Sequence, residues 1–158
     1  MNEKRLNLIL GIAVAVFASI AVFTLFAEAF ADIDSLPASR GTIYTLMFDY
    51  EAKGYNPMPL FIVGWAFLLA AIAMAFVNML LPGKLSVIGF AILAILLLGA
   101  GIIFCFSKEI FLAAGNVKGA SAGDEHLLAL GAGPICALIF SFLGAILSGY
   151  GAYKALKA

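Results

Sequence analysis

Hydrophobic positions in this chain gather into four runs that contain no Lys, Arg, Asp or Glu: Leu6–Ala27, Leu60–Leu81, Leu85–Phe106 and Leu127–Ala152. Each run has at least 22 residues, and a helix of that length extends roughly 33 Å. A bilayer hydrocarbon core is about 30 Å thick. A spanning segment must satisfy its own backbone hydrogen bonds, and a helix does so internally. The pattern therefore predicts four transmembrane helices at about 6–27, 60–81, 85–106 (continuing to about 114) and 125–152. They form an all-α, antiparallel four-helix bundle that uses the whole chain, 1–158, as one domain.

The polar segments between the runs carry the remaining structure. Leu81-Pro82-Gly83-Lys84 is a tight turn, so the second and third helices are antiparallel neighbours. The first long loop, 28–59, holds Ile43, Leu46, Met47 and Tyr50 at helical spacing, ahead of a Lys53-Gly54 stop. This predicts a short amphipathic helix capping the bundle. The alternative is a small hairpin, because Thr42-Ile43-Tyr44-Thr45 also suits a strand. Tyr55–Pro59 is an extended lead into the second helix, since residues before proline avoid helical angles. In the second loop, Gly115-Asn116 stops the extension of the third helix, and Asp124 is a candidate N-cap for the fourth.

Composition strengthens the membrane reading. The chain is 65% hydrophobic and 11% charged, against roughly half and a quarter in soluble domains. The first run follows Lys4 and Arg5 as a secretory signal would, but its 22 residues exceed the usual apolar stretch. It is expected to be a retained helix.

Charge then sets orientation. Lys4, Arg5, Lys84, Lys154 and Lys157 cluster at the helix ends on the side of the termini and the 82–84 turn. The two long loops carry four basic residues, Arg40, Lys53, Lys108 and Lys118, against eight acids: Glu28, Asp32, Asp34, Asp49, Glu51, Glu109, Asp124 and Glu125. The positive-inside rule places both termini in the cytoplasm. Tyr44, Tyr50, Tyr55 and Trp65 at one boundary, with Tyr150 and Tyr153 at the other, form the aromatic belts. A bacterial plasma membrane fits the short loops.

Candidate chemistry adds little. Small residues recur along the fourth helix in two stripes, Gly133-Ala137-Ser141-Ala145-Gly149 and Gly144-Ser148-Ala152. Small residues let membrane helices approach closely. These stripes are the predicted helix-packing interface, either within the chain or toward a partner helix. Gly11, Ala15 and Ser19 form a shorter version on the first helix. The third helix, rich in Ile, Leu and Phe, looks suited to lipid. Pro134 lies inside the fourth run and predicts a kink there. Asn78 can hydrogen-bond across helices. Cys105 and Cys136 read as two buried thiols too far apart in depth for a disulfide.

His126 is the sole histidine and lacks a ligand set of convincing spacing, so no metal site is assigned. No ionisable residue lies mid-membrane to mark an ion path. No nucleophile elbow, phosphate loop or CxxC supports catalysis. No cofactor and no nucleic-acid partner are expected.

The layout resembles the four-span claudin type in topology alone, with a longer first loop and a shorter second. Residues 28–59 carry neither the tryptophans nor the cysteine pair of that family. Small multidrug exporters depend on a glutamate in the first helix, which Leu6–Ala27 lacks. The sequence thus predicts a non-enzymatic integral membrane protein. It would be an interaction or accessory subunit that meets the lipid bilayer and a membrane protein partner or its own copies. The alternative is a small homo-oligomeric channel or transporter.

Overall fold

The computed structural model describes residues 3–32, 41–51, 55–82, 84–116 and 128–157. The spans are α1 (Glu3–Thr24), α3 (Pro59–Leu80), α4 (Lys84–Cys105) and α6 (Ala132–Lys157). All four are long and apolar enough to cross a membrane, and the chain is an integral membrane protein. The helices form a closed ring in which α1 packs on α3 and α6, and α4 packs on α3 and α6. Each neighbouring pair is antiparallel.

Burial follows the helical repeat. Leu10, Val14, Ala18 and Ala21 line the inner face of α1, with Leu25 buried just past its end, and Phe61, Gly64, Leu68, Ala71, Ala75 and Asn78 line that of α3. The outward faces are equally apolar. Ile9, Ile12 and Val16 on α1, and Ile88, Ile92, Ile95 and Ile102 on α4, are exposed to the bilayer. Burial therefore reflects fit between helices, because lipid tails give no hydrophobic drive for their association.

Side-chain size is divided between α4 and α6. α4 turns Phe90, Leu93, Leu97 and Phe104 inward, all fully buried. α6 offers hollows to receive them. A Cβ on Gly144 would stand 2.9 Å from Leu97 Cδ1, and one on Gly151 would stand 2.8 Å from the Phe90 ring. The bulky third span, expected to face lipid, thus fills the core on one side and meets lipid on the other.

One end of the bundle carries a folded cap. β1 (Phe30–Asp32) pairs antiparallel with β2 (Leu128–Leu130), with Phe30 opposite Leu130. Among the described residues, this ribbon and an isolated antiparallel bridge between Glu28 and Thr42 are added to the helical architecture. α2 (Ile43–Phe48) buries Ile43, Leu46 and Met47, so the amphipathic segment is the expected helix and the strand lies elsewhere in the loop. A reciprocal capping box starts α2. Thr42 Oγ1 accepts from the Thr45 amide at 3.1 Å, and Thr45 Oγ1 accepts from the Thr42 amide at 2.9 Å. α5 (Ser107–Ala113) restarts after a break at Phe106 and is followed, after its C-cap Ala114, by Gly115, whose φ is 72°.

The fourth span begins later than the sequence suggests, at Ala132 rather than about 125, because Leu128–Leu130 pair with β1. Pro134 is consequently the third residue of α6. No intrahelical bond is broken there, since first-turn N–H groups have no partner four residues back. The kink expected near the outer third of the fourth helix thus gives way to a proline in the first turn, a position suited to its fixed φ.

Candidate functional site

The cap is built around residues 25–30, which exchange backbone hydrogen bonds on two sides. The Ala29 amide donates to Gly41 O at 2.8 Å, and the Tyr44 amide to Leu25 O at 3.2 Å. From the other side, the Gly131 amide donates to Ala29 O and the Gly133 amide to Glu28 O, both at 2.9 Å. The fit is tight. A Cβ on Gly131 would stand 2.3 Å from Glu28 O, and one on Gly133 would stand 3.0 Å from the carbonyl oxygens of Thr24, Ala27 and Glu28. Those glycines let the second loop lie directly on the end of α1.

Two aromatic groups complete the cap. Inside, Phe111 packs against Phe30 and Tyr55, with ring centroids 4.7 and 5.5 Å apart. On the surface, Phe26, Tyr44, Phe48 and Trp65 form a continuous ladder with successive centroid separations of 4.7, 5.0 and 5.4 Å. The ladder joins the end of α1, α2 and α3. Phe26, Tyr44 and Phe48 are exposed, as are the adjacent acids Asp49 and Glu51. The lead into α3 is fixed from the second loop. Asn116, buried, accepts from the Asn56 amide at 2.5 Å, and Asn56 Nδ2 donates to Ala114 O at 2.7 Å.

The α6 stripes lie mostly inside the chain. Gly133, Ala137, Ser141 and Ala145 are buried, and so are Gly144 and Ser148. Gly133 meets the end of α1, Ser141 meets Gly101 of α4, and Gly144 meets Leu97 and Phe17. Ser148 Oγ donates to the Gly144 carbonyl at 2.8 Å, within its own helix. Gly149 differs from the rest: it is exposed, with nothing within 4 Å of where its Cβ would be.

The opposite end holds buried polar groups. Asn7 Nδ2 donates to Ser86 Oγ at 3.2 Å, joining α1 to α4 across the ring. In the sequence, the signal for Asn7 is only an amide three residues before the inward Leu10. Asn78 is fully buried, but neither of its amide atoms has a hydrogen-bond partner in the structure, contrary to the interhelical bond expected. Its side chain instead occupies the hollow at Gly89, where a Cβ would stand 1.9 Å from Asn78 Oδ1. Cys105 is exposed and Cys136 half-buried, so the thiols are free and neither is the buried core residue expected.

His126, Asp34, Asp124 and Glu125 lie outside the described residues. Among the described residues no cluster of His, Cys, Asp and Glu could hold a metal ion. Buried polar side chains there are Asn and Ser only. Compared with family models, curated proteins and solved structures, the chain matches none of them significantly.

Proposed function

We propose that the protein is a non-enzymatic membrane interaction subunit whose folded cap meets a partner protein at the bilayer surface. The carrying observation is the surface ladder Phe26–Tyr44–Phe48–Trp65, pre-assembled from three elements and flanked by Asp49 and Glu51. Rigid aromatic side chains are enriched in protein interfaces and dominate their binding energy. A ladder already ordered in the free chain loses little further side-chain freedom on binding. The α6 stripes stabilise the subunit from within, and the cap gives it specificity. The termini lie in the cytoplasm, as the clustered Lys and Arg residues favour, so the cap faces the opposite compartment.

Site-specific photo-crosslinking in the native membrane tests this reading. A crosslinker at Phe48 should yield one discrete protein adduct, while one at lipid-facing Ile95 should not. The double substitution Phe48→Ala, Trp65→Ala should abolish stoichiometric co-purification and leave helix content unchanged. Undiminished co-purification, or equal adducts from both positions, would rule the ladder out as the contact.

A further inference from the structure

Beside the cap, where α4 gives way to α5, an open groove of about 530 Å³ runs between α5 and the start of α3. Its walls include Pro57, Leu60, Phe106, Ile110 and Ala113, with Glu109 at the rim. That volume lies within the common range for small-molecule sites, which pair apolar walls with a few placed polar groups. The groove exists because small and short residues stand where a bundle would need bulk. Ala113 and Ala114 face the proline-flanked lead into α3, and Asn56 has already taken the Ala114 carbonyl.

Its depth and charge select an occupant. The groove lies at the N-terminal end of one span and the C-terminal end of the next, and the ends of a helix that just spans the hydrocarbon core meet the headgroup region. Glu109 is exposed and, among the described residues, is the only charged side chain in the lining. An apolar slot beside the ends of two spans, with an exposed carboxylate in its lining, complements a lipid that carries a positive headgroup amine.

We propose that this groove is a binding site for one phospholipid with a primary-amine headgroup, such as phosphatidylethanolamine. An acyl chain lies against Leu60, Phe106 and Ile110, and the ammonium donates hydrogen bonds to the Glu109 carboxylate. A quaternary choline keeps the charge but has no N–H to donate, and a glycerol headgroup has no cation to meet the carboxylate. The site therefore ranks ethanolamine first, choline second and glycerol last.

Native mass spectrometry of the full chain, released from nanodiscs of equimolar phosphatidylethanolamine, phosphatidylcholine and phosphatidylglycerol, reads this order directly. One ethanolamine lipid should be retained about fivefold over the glycerol lipid, the scale of a single partly exposed ion pair. Glu109→Gln should erase that preference without reducing total retention, and Glu109→Lys should reverse it. Ala113→Trp, at an exposed position, should lower retention of all three lipids by filling the slot. Equal retention by the unaltered chain, a preference that survives Glu109→Gln, or retention undiminished by Ala113→Trp would overturn the assignment.

Discussion

The two ends of the bundle are held together by different means. At the cap end, backbone groups from three distant segments bond one another around residues 25–30, and the Phe30–Phe111–Tyr55 cluster fills the space beneath. At the tail end, a local turn joins α3 to α4, with the Leu85 amide donating to Pro82 O at 3.2 Å. Order there comes from side chains: Asn7 on Ser86, and Asn78 seated in the Gly89 hollow. The cap is thus a tertiary structure in miniature, whereas the tail end is two helices turning back with a few buried polar contacts. The difference predicts where substitutions do most damage.

The largest effect should come from Gly131→Val. Its Cβ would meet the fixed Glu28 backbone at 2.3 Å, and no flexible side chain is there to yield. A loss of about 3 kcal/mol is expected, the upper range for overpacking. Thermal unfolding in detergent should shift down, and amides at 128–133 should exchange faster while those of α3 and α4 keep their protection. Uniform loss of protection would show that the cap and bundle form one cooperative unit, removing the contrast between the two ends.

Gly89→Ala should be the next most costly, at about 2 kcal/mol. Here the obstacle is the Asn78 amide, a side chain that can be removed. Adding Asn78→Ala should recover most of the loss, giving a coupling of about 1 kcal/mol in a double-mutant cycle. Strict additivity would mean that Asn78 does not occupy the Gly89 hollow. The smallest effect is expected for Asn7→Ala, at about 0.6 kcal/mol, the average for a hydrogen bond between membrane helices. A loss as large as that of Gly131→Val would invert the ranking of the two ends.

The same contrast explains which parts were legible in the sequence. The spans were visible because hydrocarbon imposes long uncharged runs, and the Pro82 turn was visible because it is local. α2 was visible through Ile43, Leu46 and Met47, which all prove buried. The ribbon was not. Leu127–Leu130 reads as the start of an apolar helix, and a short apolar run does not by itself distinguish strand from helix. Its partner is Phe30–Asp32, far away in the chain, and only that pairing moves the start of α6 to Ala132 and Pro134 into the first turn. The small residues of α6 were legible as a packing surface, but not their neighbours. Phe90 and Leu97 look like lipid-facing bulk until α6 is seen to offer Gly151 and Gly144 opposite them. The surface ladder went unread because Phe26, Tyr44, Phe48 and Trp65 are brought together only by the fold.

Every one of these inferences requires four crossings, with the cap on one face of the membrane and the turn and tail on the other. Single cysteines at two exposed positions, Glu51→Cys in the cap and Lys84→Cys in the turn, in a background lacking Cys105 and Cys136, resolve this in intact cells. An impermeant maleimide should modify the cap cysteine from outside at once and reach the turn cysteine only after permeabilisation. Modification of both from the same side would contradict the four-span arrangement.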